Sequence, residues 1–229
     1  MKNPGKTLFL GIYAGVAISF GGFLNIIANS LLNASPLWGR IAGSLLFPIG
    51  LTLVCVFGFN LFTGKIGFLL DNKKDYLGFL ALVYLGNILG SLAFGALSLL
   101  IFKGSNLYLT ALSVSQSKMF PSGVNFLSII KVFSGAVLCG VLVYLAILSY
   151  RVFKNYVLRI VGIFVSIGLF VFLKFDHCIA NMFYFAFSWS YDRWESYLNI
   201  VIVTLGNSFG AIFFNEGLKA FKKLTKKNG

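Results

Sequence analysis

Six apolar segments, each about as long as a membrane-spanning helix or longer, make up most of this chain. They lie at about 8–31, 41–70, 76–101, 126–150, 157–187 and 197–219. A helix needs about 20 consecutive apolar residues to cross a bilayer. Because 58% of the 229 residues are hydrophobic and only 11% are charged, too few polar side chains remain to cover a soluble globule. The sequence therefore predicts an all-α integral membrane protein, with six transmembrane helices in one domain over residues 1–229.

The distribution of Lys and Arg predicts the orientation of these helices. One set of ends and connections holds Lys2, Lys6, Lys73, Lys74, Arg151, Lys154, Arg159, Lys219, Lys222, Lys223, Lys226 and Lys227. Cytoplasmic connections retain positive charge, so both termini are predicted to be cytoplasmic, in a cell membrane. No small-residue cleavage site follows the first segment, and we expect that segment to be a retained helix. The net charge of +13 is then a topology signal, and no soluble basic domain is left to bind nucleic acid. The C-terminal lysines are expected to be a solvated stop signal, with contact to anionic membrane lipid as the alternative.

Two of the segments contain polar interruptions. The second segment holds Asn60 and Thr63 between Gly58 and Gly64, and the fifth holds the polar run 174–177. Glycine loosens a helix, and Asn and Thr side chains satisfy the backbone groups that a break sets free. The sequence therefore predicts broken second and fifth helices.

An internal repeat pairs these two interruptions. The third segment contains Leu85-Gly86-Asn87 and the sixth contains Leu205-Gly206-Asn207, each followed by a further glycine three residues after the Asn. We therefore divide the chain into a first repeat over about 8–101 and a second over about 126–219. Three helices per repeat require the two repeats to be inverted in the membrane, and broken helices at matching positions of inverted repeats are typical of a transport pathway. Close helix packing at the glycines is a second role for the same pattern.

The stretch 170–183 places the only histidine of the sequence, His177, in an otherwise apolar run. Lys174 and Asp176 lie next to it, and Asn181 follows one helical turn later. Charged and titratable groups are costly at membrane depth and are found mainly where they line a cavity or a pathway. We expect this stretch to be the centre of a pore, with a buried core histidine as the alternative interpretation.

Other functional classes lack the residues that they need. The three cysteines, Cys55, Cys139 and Cys178, are widely spaced, which disfavours a disulfide framework and a metal site. A membrane anchor of a reductase with bis-histidine haem needs more than one histidine. Cys178 adjoins His177, but sequence neighbours on a helix do not face each other, so we predict neither an enzyme nor a cofactor. A neutral-solute channel is disfavoured because no Asn-Pro-Ala motif is present.

The motifs taken together resemble those of a known family. Residues 176–183, DHCIANMF, are similar to the E-H-x-x-A-N-M signature of the formate/nitrite transporter family. Residues 47–50 and 60–65 are similar to its broken second helix, F-x-x-G followed by E/D-L-F-T-G-N. The Leu-Gly-Asn repeats and residues 14–21 also match, so the resemblance covers nearly the whole chain.

This resemblance implies an aquaporin-like protomer in a homopentamer, with a separate pore in each protomer for a small monovalent anion. Leu61 and Phe170 would form the cytoplasmic constriction of that pore, while Phe47 and Leu51 would contribute to the outer one. Ordinary core packing is the alternative for these four apolar residues.

The resemblance also assigns roles to polar residues. Thr63 would hydrogen-bond His177 or the permeating species, and His177 would face a central chamber. Lys118 is the candidate for the lysine of the outer vestibule, with Lys131 as its competitor. From the residues alone, Asp176 either lines the pathway or is a structural partner that orients the loop or pairs with Lys174. Departures from the family pattern are Asp176 for Glu, Asn60 for an acidic residue, Lys174 for a small residue and Gly140 for Asn.

A mechanism follows from the energies. Moving an unpaired anion into an apolar constriction has an idealised cost on the order of 20 kcal/mol. Protonating a carboxylate of pKa about 4 at pH 7 costs only about 4 kcal/mol. The substrate is therefore expected to pass as the neutral acid or together with a proton, with His177 as relay or as neutral hydrogen-bonding group. Formate or nitrite is the expected anion, and hydrosulfide is the alternative.

Overall fold

The computed structural model describes residues 3–227, which form a helical bundle. Its helices are α1 (Pro4–Leu31), α2 (Pro36–Leu46), α3 (Pro48–Phe57), α4 (Phe62–Lys65), α5 (Tyr76–Phe102), α6 (Asn106–Lys118), α7 (Phe126–Val152), α8 (Tyr156–Phe172), α9 (Cys178–Phe187) and α10 (Trp194–Lys227). Short 3₁₀ turns cover Ile66–Asp71 and Ser190–Asp192. No strand occurs over this range, so the predicted all-helical class is confirmed.

Among the described residues, five helices are long and apolar enough to cross a membrane. They are Pro4–Leu31, Pro36–Phe57, Tyr76–Phe102, Phe126–Val152 and Trp194–Thr225. The second of these joins α2 and α3 through Phe47, the C-cap of one helix and the N-cap of the next. The fifth predicted segment is not a single helix of this kind, because it is divided into the shorter apolar helices α8 and α9.

Both predicted interruptions are present and share one backbone geometry. α3 ends at Gly58 with φ of 68°, and α8 is followed by Lys174 with φ of 58°. In each case the next N–H group bonds a carbonyl five residues earlier, from Phe59 to Val54 at 2.9 Å and from Phe175 to Phe170 at 3.0 Å. The extended residues after each turn then lead into α4 and α9.

Lys174 adopts a left-handed backbone conformation that glycine occupies at the matching break. This conformation costs a non-glycine residue about 1 kcal/mol. Lys174→Gly is therefore expected to raise the free energy of unfolding by up to about 1 kcal/mol, less the entropy that glycine loses on folding. Thermal unfolding in detergent measures the change. Lys174→Ala removes the same charge but keeps the strained geometry, so equal stability of the two variants would contradict this account.

Asn87 ties the first break to the helices around it. Its amide nitrogen donates to the carbonyl oxygens of Gly11 at 2.8 Å and Asn60 at 2.9 Å. Its carbonyl oxygen accepts the N–H of Phe62 at 2.8 Å. The side chain is fully buried and holds α1, α5 and the start of α4 together.

Asn207 makes the same three bonds in the second half of the chain. Its amide nitrogen donates to the carbonyl oxygens of Ala136 at 2.8 Å and Asp176 at 2.9 Å, and its oxygen accepts the N–H of Cys178 at 3.0 Å. The two Leu-Gly-Asn motifs therefore have one structural function, which is to satisfy backbone groups at each break and to tie that break to α1 or α7.

Glycines allow the helices around each asparagine to approach closely. A side-chain carbon at Gly15 would overlap the carbonyl oxygen of Asn87, and one at Gly140 would overlap that of Asn207. α1 thus packs directly on α5, and α7 packs in the same way on α10. Gly140 replaces the Asn that the family resemblance led us to expect, and here no larger residue fits.

α6 is a feature that the sequence analysis left unassigned. It begins at the N-cap Ser105, whose hydroxyl accepts the Tyr108 N–H at 3.3 Å, and it ends at Lys118. Ser115 donates to the carbonyl oxygen of Tyr184 at 2.9 Å and so fastens α6 to α9. The connection between the two halves is therefore a helix that positions Lys118 beside the second break.

The start of α1 and the end of α10 lie on the same side of the bundle, which we call the terminal face. Asn3 and Lys6 line a surface cavity together with Asp71. Lys219 and Asn215, near the other end of the chain, both bond the Asp71 carboxylate. The opposite side, reached by the second half of α1, is called the Lys118 face.

Candidate pore

A cavity of about 370 Å³, the Lys118 cavity, opens on the Lys118 face. Its polar lining includes Arg40, Lys118, Lys174, Asp176, His177 and Asn181. Lys131 is not part of it, so the structure supports Lys118 as the lysine beside the break. Since three cationic side chains and one carboxylate line this space, its charge is net positive.

A second cavity of about 200 Å³, the Lys65 cavity, lies toward the terminal face. It is lined by Lys65 and Arg151 together with Cys55, Leu61 and Tyr150. Lys65 immediately precedes the Ile66–Asp71 turn, which places the cavity near both chain ends. Cationic side chains therefore lie on both sides of the bundle centre.

An apolar constriction separates the two cavities. A void of only about 10 Å³ is lined by Ile18, Phe47, Leu51, Leu61, Val143, Ile167, Phe170 and His177. His177, Phe47 and Phe170 also line the Lys118 cavity, whereas Leu61 also lines the Lys65 cavity. Along this path the imidazole of His177 is the one polar side chain in the lining of the void.

Phe170 lines the same void as Leu61, but it also lines the Lys118 cavity, whereas Leu61 also lines the Lys65 cavity. The Phe170 ring packs edge-to-face on Phe47, with ring centroids 5.5 Å apart, on the side of the Lys118 cavity. Phe170 also stacks on His177 at 6.0 Å. The turn after α8 explains this contact, because the chain folds back there and brings His177, at the start of α9, next to Phe170. Leu51 lines the central void and neither cavity.

His177 is 2% exposed and makes two hydrogen bonds. Its Nδ1 accepts the N–H of Ala180 at 3.3 Å, which makes it the N-cap of α9. Because a backbone N–H is only a donor, Nδ1 carries no proton in this arrangement, and a neutral ring then has its proton on Nε2. Nε2 lies 2.9 Å from Thr63 Oγ1, so the expected contact between these two residues is present, with the imidazole as donor.

Asp176 pairs with Lys118 and not with Lys174. Lys118 Nζ lies 2.8 Å from Asp176 Oδ1, and these side chains are 12% and 13% exposed. Asn181 also donates to Asp176 Oδ1 at 2.9 Å. Lys174 is exposed at the mouth of the Lys118 cavity, because its left-handed backbone turns the side chain away from the break.

Asn199 completes this network and was missed by the sequence analysis. Its Oδ1 accepts from Asn181 Nδ2 at 2.8 Å, and its Nδ2 donates to the backbone oxygen of Lys118 at 2.9 Å. The bonds from Lys118 through Asp176, Asn181 and Asn199 thus close a ring. The only sign of Asn199 in the sequence is a polar residue near the start of the last apolar segment. Polar residues are common near helix ends, so this position did not stand out.

The Lys118–Asp176 pair is expected to show strong energetic coupling. Lys118→Gln leaves a largely buried carboxylate without its cation and should cost about 2 kcal/mol of folding free energy. The double variant with Asp176→Asn should lose less than the sum of the two single changes, by about 1–2 kcal/mol. Thermal unfolding of the four proteins measures this term. The Arg193–Glu195 pair, with side chains 52% and 20% exposed, serves as control and should couple weakly. Equal coupling at both sites would refute the structural role.

Comparisons with known proteins agree with this architecture. The profile described as formate/nitrite transporter matches residues 1–221. The chain is 29% identical to the probable formate transporter of Methanothermobacter thermautotrophicus, over 93% of this chain and 87% of that protein. It is 33% identical to the nitrite transporter NirC of Escherichia coli strain K12, over 94% and 83% of the two chains.

The fold is also shared with a solved structure, a pentameric formate channel with formate bound. The TM-score is 0.81 at 23% identity, over 97% of this chain and 98% of the other. The relatives are named as transporters and channels, which is consistent with the prediction that this chain is not an enzyme. From the match along residues 1–221, the shared fold and the apolar spans, it follows that this multi-pass membrane protein belongs to the formate/nitrite transporter family.

Proposed function

We propose that this chain forms a pore for a small monovalent weak-acid anion, with formate or nitrite as the substrate and hydrosulfide as the alternative. The main evidence is the order in which charged and apolar surroundings follow one another along the bundle. Two cavities with cationic linings are separated by an apolar constriction whose one polar lining group is His177. Cationic cavities concentrate anions, and the apolar constriction favours passage of a neutral species.

Protonation resolves the conflict between these two environments. An anion in the Lys118 cavity faces the rings of Phe47 and Phe170, which offer no counter-charge. The idealised cost of an unpaired charge there, on the order of 20 kcal/mol, exceeds by far the cost of protonating a weak acid. The substrate therefore crosses the constriction as the acid or together with a proton.

The neutral imidazole of His177 is suited to hydrogen bonding with the substrate. Protonation of Nδ1 would break its bond to the Ala180 N–H and place a positive charge at the N-terminus of α9, where cations are disfavoured. A neutral ring keeps the Nε2 proton available to Thr63 or to the passing substrate. A relay through His177 would therefore use Nε2 and the Thr63 hydroxyl.

The architecture proposed for the pore has six spans in two inverted repeats. Five spans are continuous apolar helices, and α8 and α9 together supply the sixth. The matched bonds of Asn87 and Asn207 support the repeat and the aquaporin-like arrangement of two broken helices. A homopentamer is proposed because the solved channel with this fold is described as pentameric.

The terminal face is proposed to be cytoplasmic in the cell membrane. It carries most of the Lys and Arg residues, including Arg151, Lys154 and Lys219, and cytoplasmic ends retain such residues. Exposed apolar side chains such as Leu100 and Phe126 would contact membrane lipid or a neighbouring protomer.

Uptake into proteoliposomes tests this proposal. Formate, nitrite and hydrosulfide are compared in vesicles with the purified protein, with and without an inward proton gradient. Selective uptake that the gradient accelerates is the expected result, and it also names the substrate. If none of the three anions enters faster than into empty vesicles, the small-anion pore is wrong, and a neutral-solute channel is to be tested next.

A further inference from the structure

Lys65 and Arg151 line the same cavity next to the constriction, although they are far apart in the sequence. The remaining lining of the Lys65 cavity is apolar or neutral, with Leu61 at its deep end. No carboxylate contributes to this cavity among the described residues. On the Lys118 face, by contrast, Lys118 is already neutralised by Asp176.

Local packing positions the Arg151 side chain and the Lys65 backbone beside the cavity. Ile147 and Arg151 lie one turn apart on the face of α7 that packs on α4, where a side-chain carbon at Gly64 would lie 3.3 Å from Ile147. The Arg151 guanidinium carbon lies 4.3 Å from the centroid of the Phe68 ring. The hydroxyl of Tyr76 donates to the Lys65 carbonyl at 3.1 Å. These contacts hold α4 against α7, so that Lys65 and Arg151 line the same cavity.

The carboxylate of Asp71 is already engaged elsewhere. Asp71 shares an adjoining surface cavity with Lys65 and Arg151. Its Oδ1 is paired with Lys219, and its Oδ2 accepts from Asn215 at 2.9 Å. Within residues 3–227, neither Lys65 nor Arg151 makes an ion pair within 4.0 Å. Two cationic groups are therefore left to interact with a ligand.

We infer that Lys65 and Arg151 form an anion-binding site at the terminal-face mouth of the pore, for a small monovalent carboxylate or oxyanion. This inference rests on the proposed function and extends it, because the site is the last position of the substrate before or after Leu61. The guanidinium presents parallel N–H donors that suit two oxygens of one anion, and the ammonium supplies a second charge. Anions entering from the terminal face are concentrated here, as Arg40 and Lys174 concentrate them in the Lys118 cavity on the opposite face.

Cys55 is a native reporter for this site, because it lines the same cavity, whereas Cys139 and Cys178 are fully buried. Its thiolate attacks the sulfenyl sulfur of a methanethiosulfonate, which forms a disulfide and releases methanesulfinate. The rate with an ethylsulfonate reagent divided by the rate with an ethyltrimethylammonium reagent measures the local charge. In Lys65→Gln/Arg151→Gln this ratio is expected to fall about tenfold, since it depends on the field of two cations.

Matched variants separate local charge from general effects. Lys154→Gln removes a cation from the same face outside the cavity and should leave the ratio unchanged. Lys65→Arg keeps the charge inside the cavity and should show the wild-type ratio, in contrast to Lys65→Gln. Cys55→Ala identifies the labelled residue. Formate and nitrite should slow the labelling of the wild type and not that of the double variant. An unchanged ratio in the single and double glutamine variants, or protection that persists in the double variant, would overturn the site.

Flux measured in the same vesicles keeps the two proposals distinguishable. With the anion supplied at the terminal face, Lys65→Gln should raise the KM about threefold to tenfold while the maximal rate changes less. If the wild type transports the anion, and the glutamine variants keep its KM and its labelling ratio, the site is refuted and the pore is not. A tenfold change in the ratio without wild-type flux of any anion would support the site and refute the proposed pore.

Discussion

His177→Asn is expected to reduce anion flux by about 100-fold or more while leaving the fold intact, as removal of a proton-transfer group typically does. Asn is among the best N-cap residues, so it still accepts the N–H at the start of α9 in place of the imidazole Nδ1. Its shorter side chain does not reach Thr63 Oγ1, which lies 2.9 Å from Nε2 in the wild type. The substitution thus removes the proton donor at the constriction and keeps the cap.

His177→Ala provides the comparison, because it removes the donor and the cap together. It should lose as much flux as His177→Asn and in addition about 1 kcal/mol of folding free energy. Proteoliposome flux and thermal unfolding of both variants test this pair of expectations. Flux within twofold of the wild type in His177→Asn would show that the imidazole is only a structural cap in a packed core.

Asn207→Asp is expected to destabilise the protein by about 3–5 kcal/mol. The carboxylate has the same shape and still accepts the Cys178 N–H, but it donates to neither the Ala136 nor the Asp176 carbonyl. Two buried backbone oxygens then lose their side-chain donor, and a negative charge is buried beside them. Thermal unfolding and the yield of folded protein in detergent report the loss.

Asn87→Asp should cost a similar amount, because Asn87 makes the matching bonds to Gly11 and Asn60. Asn72→Asp is the control, since its amide donates to the Phe68 carbonyl at 2.7 Å at an exposed position. That change should cost under about 1 kcal/mol, the usual value of an exposed hydrogen bond. A small effect at Asn207 together with a large one at Asn87 would show that the two breaks are not structurally equivalent.

Local patterns in the sequence were sufficient for much of the fold. Segment length predicted the membrane spans, and the runs of Gly, Asn and Thr predicted both breaks, because helix formation and its interruption depend on neighbouring residues. The Leu-Gly-Asn repeat predicted that the third and sixth segments are equivalent, which the bonds of Asn87 and Asn207 now explain. The isolated position of His177 in an apolar run predicted a residue that lines a pathway, and its imidazole lines the central void.

Only the tertiary structure decided which residues share a cavity. Lys118 pairs with Asp176, 58 residues away, although Lys174 is two residues from that carboxylate. Phe170 packs on Phe47 at the Lys118 cavity, whereas Leu61 lies at the Lys65 cavity, although all three residues line the void between them. Hydrophobic periodicity shows that a residue is buried but not which distant helix it meets, since that depends on close packing between segments far apart in the chain.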